Sequence, residues 1–352
     1  MQSIKSNALE PTVSDLAGLT RLQVIGRTLP VYGLPILTVL LIILFSVALP
    51  NTFPTYLNVR SILSDKAIVA LLSLAATVPM IAGRIDLTIG FGIVLWHVLA
   101  IYFQSAFGIS WGISVMMVIA IAGLVGLLNG LLVEVAHVDS FIATLGTGTI
   151  LYAIALWVTD GRQVIATLPA GFLSLNSTFL LGIPIPALYV AALTIVLWVI
   201  SERLPLGRHV YAIGANEKAA KLNGIPVRGY IIGVFVVSGI ITGFAGCILA
   251  AKLRIGQANV GLDFLLPALV GAFLGTTTIK PGRVNVLGTI CGVLILAVGI
   301  SGIQQFGGAF FVEPLFNGAT LVVSIALAAF AQRRRARMRL DPGRRSPPDQ
   351  SG

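Results

Sequence analysis

The chain has 352 residues, of which 57% are hydrophobic and only 10% are charged. Soluble globular domains carry about 25% charged residues, so this chain has too little polar surface for a water-soluble particle of its size. Composition therefore excludes a soluble fold and predicts an all-α polytopic membrane protein. The net charge of +10 does not indicate nucleic-acid binding, because the basic residues lie in the tail 333–345 and between apolar segments rather than on one folded face.

Apolar runs of about 17 to 25 residues can cross a bilayer as helices. By this measure the sequence predicts ten spans, near residues 31–50, 67–83, 87–107, 111–133, 140–159, 184–201, 229–251, 264–279, 284–305 and 314–331. The second and eighth are short and contain Pro79 and Pro267, so each is a candidate for a bent or partly re-entrant segment. This division leaves a polar N-terminal segment over 1–30, a membrane domain over 31–331, and a basic tail over 332–352 that we expect to be disordered.

Lysine and arginine are unevenly distributed between the two sides of these spans. With the N-terminus in the cytoplasm, most of the 23 basic residues fall on the cytoplasmic side. The outer side keeps only Arg60, Lys66, Arg162, Lys252 and Arg254. The positive-inside rule therefore predicts cytoplasmic N- and C-termini. It also places the loop 202–228, between spans six and seven, in the cytoplasm.

Within that loop, residues 216–226 carry start and stop signals for a short helix. Asn216 is suited to the N-cap, and Glu217 is suited to the positive end of the helix dipole. Good helix formers and a glycine suited to the left-handed position after the last turn complete the pattern: Ala219, Ala220, Leu222 and Gly224. Two turns alone are unstable in water, so this helix must dock on its own chain or on a partner. The competing interpretation is a solvated loop that contains a helical turn.

Five segments carry further recognisable patterns. They are AGRIDLTIG at 82–90, TLGTGT at 144–149 with residues 159–163, the LPAGF and GIPIP elements at 168–186, GRHVYAIGANEKAAKLNGI at 207–225, and residues 275–289 ending in PGRVNVLGT. In this order and at these positions, they resemble the permease subunits of bacterial ABC importers, in the ribose/xylose/galactose-type sugar branch. The resemblance covers roughly residues 35–331.

The resemblance implies a role for the helix that begins at Glu217. In such importers a coupling helix fits a groove in a separate ATPase subunit, which holds the ATP and Mg and tilts the spans when it closes. The resemblance also implies a second permease copy or paralogue, a periplasmic sugar-binding protein and the bacterial inner membrane. The sequence contains no G-x-x-x-x-G-K-[ST] phosphate loop. We therefore expect this chain to bind no cofactor and to catalyse no reaction.

Asp86 is the most unusual polar residue of the apolar region. A carboxylate at membrane depth costs about 2.5–3.5 kcal/mol on insertion scales, so it should face a partner or water. Arg84 could neutralise it only across an irregular turn, which Gly83 and Gly90 permit. The family pattern has glycine where this chain has Arg84. One interpretation is that Asp86 fixes the turn entering span three, near the dimer interface or an inner gate; the other is a boundary-loop carboxylate.

Other candidates are weaker. Polar side chains that could line a translocation path are Asn129, Thr144, Thr147 and Thr149, although threonine in a span is more often a packing residue. Glycine pairs four residues apart are barely more frequent than chance and do not assign a dimer face. Neither the two cysteines nor the three histidines form a metal or catalytic pattern, so we expect no metal site and no catalytic residue.

The sequence therefore predicts the permease subunit of an ABC sugar importer, acting as a dimer within membrane lipid. A permease for branched-chain amino acids or nucleosides is the nearest alternative. An ion-coupled secondary transporter belongs to a different class, and the spans lack the acidic or histidine relays that proton coupling uses.

Overall fold

A computed structural model describes residues 21–308, 311–320 and 322. Their helices are α1 (Arg21–Ala48), α2 (Tyr56–Asp65), α3 (Ala67–Ile81), α4 (Thr88–Phe107), α5 (Trp111–Glu134), α6 (Ser140–Thr159), α7 (Ala170–Ser177), α8 (Ile185–Arg203), α9 (Pro205–Ala215), α10 (Glu217–Leu222), α11 (Val227–Leu253), α12 (Leu265–Leu274) and α13 (Val286–Gln305). Residues 312–320 are also helical. Within the described residues, four two-residue strands form two antiparallel pairs, β1 (Val164–Ile165) with β4 (Ile255–Gly256), and β2 (Phe179–Leu180) with β3 (Ile183–Pro184).

Among the described residues, six helices are long and apolar enough to cross a membrane: α4, α5, α6, α8, α11 and α13. Helices α2 and α3 make a seventh if they are counted as one segment, bent by 41°. Two shorter apolar helices, Tyr32–Ala48 and Leu262–Leu274, coincide with the predicted first and eighth spans. The chain is therefore a polytopic helical membrane protein. The predicted tail 332–352, residues 1–20 of the N-terminal segment and most of the tenth span lie outside the described residues.

Pro79 and Pro267, which made the second and eighth spans candidates for bent or re-entrant segments, each lie in a terminal turn of a helix. The bend between α2 and α3 falls at Lys66, before the second predicted span, and Pro79 lies in the last turn of α3. Pro267 lies in the first turn of α12, where amides have no intrahelical partner and a missing N–H costs little. The eighth segment is short, as expected, because α12 ends at Leu274 and residues 275–285 continue as turns.

Polar contacts sort the connecting segments into two groups. At one end, called the α10 end, Glu217 pairs with Arg84, and Tyr211 donates to the carbonyl oxygen of Val284. At the opposite end, polar contacts join Lys66 to Glu313 (2.6 Å), Lys252 to Asp65 (2.8 Å) and Gln163 to Gln257 (2.9 Å). Since α3 and α11 each run from one group to the other, the two groups lie at opposite ends of the bundle.

Helix α11 lies at the centre and packs against α3, α4 and α5. Its crossing with α5 is close because glycines meet backbone there. A Cβ added to Gly126 would lie 2.3 Å from the carbonyl oxygen of Phe235, and one added to Gly239 would lie 2.3 Å from that of Ala122. Helices α12 and α13 cross in the same way, where a Cβ on Gly292 would lie 2.5 Å from the carbonyl oxygen of Gly271. These glycine pairs therefore join helices within the chain.

Candidate functional site

The predicted short helix forms as α10, and its two caps have the expected geometry. The side-chain oxygen of Asn216 accepts a hydrogen bond from the amide of Ala219 (3.0 Å). Gly224 has φ +78°, and the amide of Ile225 donates to the carbonyl oxygen of Ala220 (3.1 Å). This bond closes the C-terminus as a Schellman motif. The helix boundaries predicted from local sequence are therefore confirmed.

Helix α10 is docked on one face and open on the other. Ala220 is 4% exposed and belongs to a buried apolar cluster with Ile213 of α9 and Val227 of α11. Leu222, two residues later, is 89% exposed. The chain itself therefore provides the support that a two-turn helix needs, and it leaves a leucine free at the surface.

The sequence did not predict α9, which precedes α10. Pro205 occupies its first turn, where proline is favoured. A Cβ added to Gly214 would lie 2.1 Å from the carbonyl oxygen of Ile81, so α9 crosses the end of α3 in backbone contact. The proline followed by an amphipathic run was the available signal. The loop predicted over 202–228 is therefore a compact two-helix unit.

Arg84 connects this unit to the rest of the bundle. Its Nη2 donates to Glu217 Oε2 at the start of α10 (2.7 Å) and to Glu134 Oε1 at the end of α5 (3.2 Å). Lys221 Nζ donates to the other oxygen of Glu217 (2.6 Å). The expectation that Arg84 could neutralise Asp86 is wrong, because the guanidinium is directed to two glutamates on other helices.

Asp86 is held by hydroxyl and amide groups. Asp86 is 1% exposed, and its Oδ1 accepts hydrogen bonds from both the amide (2.9 Å) and the hydroxyl of Thr88. Its other oxygen accepts from the hydroxyl of Ser238 on α11 (2.7 Å). These bonds join the α3–α4 turn, residues 82–87, to the central helix, which supports the interpretation that Asp86 fixes this turn. Nothing in the sequence pointed to Ser238.

Three of the four predicted path residues adjoin the same turn. Thr147 donates to Asn129 Oδ1 (2.7 Å), and Asn129 donates to the hydroxyl of Thr88 (3.3 Å). The hydroxyl of Thr144 accepts from the amide of Leu87 (3.0 Å). Asp86, Thr88, Asn129 and Thr147, together with Ser238, form a polar network that ties α4, α5, α6 and α11 together. We call it the turn network.

Thr149 is separate from the turn network. It is exposed and donates only to the carbonyl oxygen of Leu145, one helical turn earlier (2.6 Å). The two predicted turn glycines have distinct functions. Gly83 adopts φ +75°, a left-handed conformation that glycine favours. Gly90 allows close packing, because an added Cβ would lie 2.3 Å from the Cβ of Leu265 on α12.

A second polar cluster joins residues 275–285 to α8 and α9. Lys280 forms an ion pair with Glu202, and Tyr211 donates to the carbonyl oxygen of Val284 (3.0 Å). The guanidinium of Arg283 lies 3.4 Å from the centre of the Tyr211 ring. Burial and the neighbouring charge of Glu202 raise the pKa of Tyr211 to about 12. The phenol therefore remains a donor at neutral pH and holds the segment in place.

His97 and His209 form hydrogen-bond contacts within the chain. His97 Nδ1 lies 3.0 Å from the carbonyl oxygen of Ile93, and its Nε2 accepts from the amide of Gln257 (3.2 Å). His209 contacts the hydroxyl of Tyr230 (2.6 Å). In the part of the chain that the structure describes, no group of three or more His, Cys, Asp or Glu side chains could hold a metal ion.

Comparison with known proteins places these features in a family. The profile of the family described as "Branched-chain amino acid transport system / permease component" matches residues 58–330. The ribose import permease protein RbsC of Bacillus subtilis (strain 168) is 30% identical over 289 residues, 82% of this chain and 89% of that protein. No solved structure matches the chain.

Two further relatives match over a similar length of the chain. The ribose import permease protein RbsC of Haemophilus influenzae is 32% identical over 279 residues, 77% of this chain and 84% of its own. The D-allose transport system permease protein AlsC of Escherichia coli (strain K12) is 26% identical over 297 residues, 84% of this chain and 90% of its own. The chain therefore belongs to this family of transport-system permease components.

Proposed function

We propose that this chain is the transmembrane permease subunit of an ABC importer and forms the translocation path for a monosaccharide or related polyol. The relatives that support this substrate class are named as ribose and D-allose permeases, and the match covers more than four-fifths of each. The observation that carries the coupling role is α10, a capped helix that docks on its own chain through Ala220 and leaves Leu222 exposed.

The direction of the bundle follows from the distribution of charge. The α10 end carries most of the described basic residues outside the apolar segments, and by the positive-inside rule this supports an orientation with the α10 end on the cytoplasmic side of the bacterial inner membrane. Ten spans agree with the two groups of connecting segments if α1, α12 and the helix at 312–320 each count as a crossing. The tail arginines would then contact anionic lipid of the inner leaflet.

Leu222 and its neighbours on α10 would insert into an ATPase subunit, which would bind the ATP and Mg. The chain has no phosphate loop of its own. A periplasmic binding protein would deliver solute to the opposite end, and a second copy or paralogue of this chain would complete a dimer. We assign no cofactor and no nucleic acid to this chain.

The contacts of Arg84 support a rigid-body coupling mechanism. Arg84 belongs to the α3–α4 turn, and its guanidinium links α10 to the end of α5. The turn network links the same turn to α6 and α11. A displacement of α10 would therefore move several spans together rather than bend one helix. That Asn129, Thr144, Thr147 and Thr149 line the path stays a prediction. The first three adjoin the α3–α4 turn, and Thr149 donates to the carbonyl oxygen of Leu145.

The test is reconstitution in proteoliposomes with a cognate ATPase subunit and a periplasmic binding protein. We expect ATP-dependent uptake of D-ribose or D-allose, and neither uptake nor ATP hydrolysis by this chain alone. Accumulation by the chain alone, driven by an ion gradient, would establish a secondary transporter instead. Uptake of L-leucine in place of both sugars would favour the amino-acid alternative.

Leu222 provides the specific test of coupling. Leu222→Asp should prevent binding of the ATPase subunit without impairing membrane insertion, because the side chain has few contacts in its own chain. Leu181→Asp is the matched control, since Leu181 is 96% exposed at the opposite end. Ala220→Glu should also uncouple transport, but by displacing α10 from the apolar cluster in which Ala220 is buried. If L222D binds and stimulates the ATPase normally, the coupling assignment is wrong.

A further inference from the structure

A cavity of about 460 Å³ lies at the end of the bundle opposite α10. Its walls come from the α2–α3 bend, the 3₁₀ turn Leu262–Phe264, the start of α12 and the helical residues 312–320. The ion pair of Lys66 with Glu313 (2.6 Å) is part of its lining. Small-molecule sites in proteins have volumes of roughly 300–1,000 Å³, so this cavity can accommodate a small solute.

A buried polar group, the side-chain amide of Asn317, distinguishes this cavity from a void left by imperfect packing. Asn317 lines the cavity and is 2% exposed, yet its Oδ1 has no hydrogen-bond partner among the described residues. A buried amide left without a partner costs about 1–3 kcal/mol. Such groups in native proteins are nearly always satisfied by protein, water or a ligand. The amide therefore has unused capacity to accept a hydrogen bond from a guest in the cavity.

The charges of the lining disfavour an anionic guest, because three of its four ionisable side chains are carboxylates: Asp65, Asp263 and Glu313. The one lysine of the lining, Lys66, is already paired with Glu313, so the described lining offers no free cation to an anionic solute. Asp263 is an exposed carboxylate without an ion pair among the described residues. Hydroxyl groups can donate to this carboxylate and can both donate to and accept from an amide.

The remaining walls of the cavity are apolar. Phe264 and Pro267 line it beside Val69. A neutral polyhydroxylated solute has hydroxyls for the amide and the carboxylate, and C–H surfaces for these apolar side chains. Specific pockets in proteins typically combine such an apolar lining with a few polar groups that fix orientation.

We propose that this cavity is a low-affinity site for a neutral polyol, occupied as solute enters the permease, with Asn317 as its main hydrogen-bonding residue. The inference rests on the proposed function, since it places the first contact with solute at the end opposite the ATPase. Low affinity suits an entry site, because a transported solute must also leave.

The test uses the full chain in lipid nanodiscs, with D-ribose, D-allose and L-leucine as probes in saturation-transfer NMR titrations. We expect one of the two sugars to bind, and Asn317→Leu to raise its half-saturating concentration about three- to tenfold, the equivalent of one neutral hydrogen bond. Asn176→Leu is the matched control, because its Oδ1 also lacks a partner but it does not line the cavity. This variant should bind as the unaltered chain does.

Asp263→Ala gives a second variant whose folding is not in question, since the side chain is exposed. It should weaken binding of the same sugar by about threefold. If the complete importer transports a sugar but both variants bind and transport it with unchanged half-saturation, the site is wrong and the proposed function stands. If the importer transports neither sugar, the proposed function itself fails. Binding of L-leucine alone, sensitive to Asp263→Ala, would overturn the polyol class.

Discussion

Replacing Arg84 with methionine tests the link between α10 and the bundle. The substitution keeps an apolar stem and removes the guanidinium that contacts both glutamates. Glu217 is 32% exposed, so its pair contributes no more than about 1 kcal/mol. Glu134 is 5% exposed and would keep a buried charge without its partner. A fully buried pair costs about 3–5 kcal/mol to break, and because Arg84 is 28% exposed we take about 2–3 kcal/mol here.

The expected loss in the free energy of unfolding is therefore about 3–4 kcal/mol for Arg84→Met. Adding Glu134→Gln removes the unpaired charge. The double variant should therefore lose about 2 kcal/mol less unfolding free energy than the summed losses of the two single variants. Denaturation in mixed micelles measures the free energy of unfolding of the two single variants and the double variant. Lys252→Met is the control, because its partner Asp65 is 53% exposed and the loss should stay below about 1 kcal/mol.

Additivity of Arg84→Met and Glu134→Gln to within about 0.5 kcal/mol would refute this reasoning, because it would mean that the two side chains do not interact. The functional counterpart is the number of solute molecules imported per ATP hydrolysed. This ratio should fall in Arg84→Met while binding of the ATPase subunit persists, since α10 still presents Leu222.

Three further predictions concern α10 and the turn beneath it. The hydrogen bond from Lys221 and the charge of Arg84 lower the pKa of Glu217. A lowered folded-state pKa means that this stabilisation is present above the unfolded value near 4.5 and is lost as pH falls through the folded value. Unfolding measured from about pH 6 to about pH 3 should show this loss, and Glu217→Gln should remove it. Gly224→Ala should lower the free energy of unfolding by about 1 kcal/mol, because residue 224 has a φ of +78°. Gly229→Ala should not destabilise the protein, because an added Cβ also meets no atom there and φ is not positive. Asp86→Ala should destabilise by about 2 kcal/mol in the same assay, because it leaves buried hydroxyl donors unpaired.

Local signals explain why α10 could be predicted to the residue. Asn216 caps an amide three residues away, and Gly224 takes the left-handed conformation that follows a helix end. Both interactions depend only on near neighbours in the chain. The same local reasoning made the span that contains Pro79 a candidate for a bent segment, whereas the 41° bend lies at Lys66, where two helices meet.

The two partners of Arg84 could not be predicted in this way. Glu134 and Glu217 lie 50 and 133 residues further along the chain, and the spacing of charges in the sequence does not show which helix ends are adjacent in the fold. Ser238 lies 152 residues from Asp86 and resembles any other serine in an apolar helix. Asn129, Thr144 and Thr147 were identified as polar residues in spans, but the sequence could not show that they adjoin one turn.

Composition and local chain chemistry by themselves determined that this is a helical membrane protein with a capped polar helix between two apolar segments. Hydrophobicity and helix capping act over single spans and single turns, so they can be read from neighbouring residues. Only the tertiary structure decided what that helix is attached to, and that the amide oxygen of Asn317 has no hydrogen-bond partner among the described residues. Ion pairs and buried hydrogen bonds depend on which helix ends the packing brings together, and glycines at close helix crossings permit that packing.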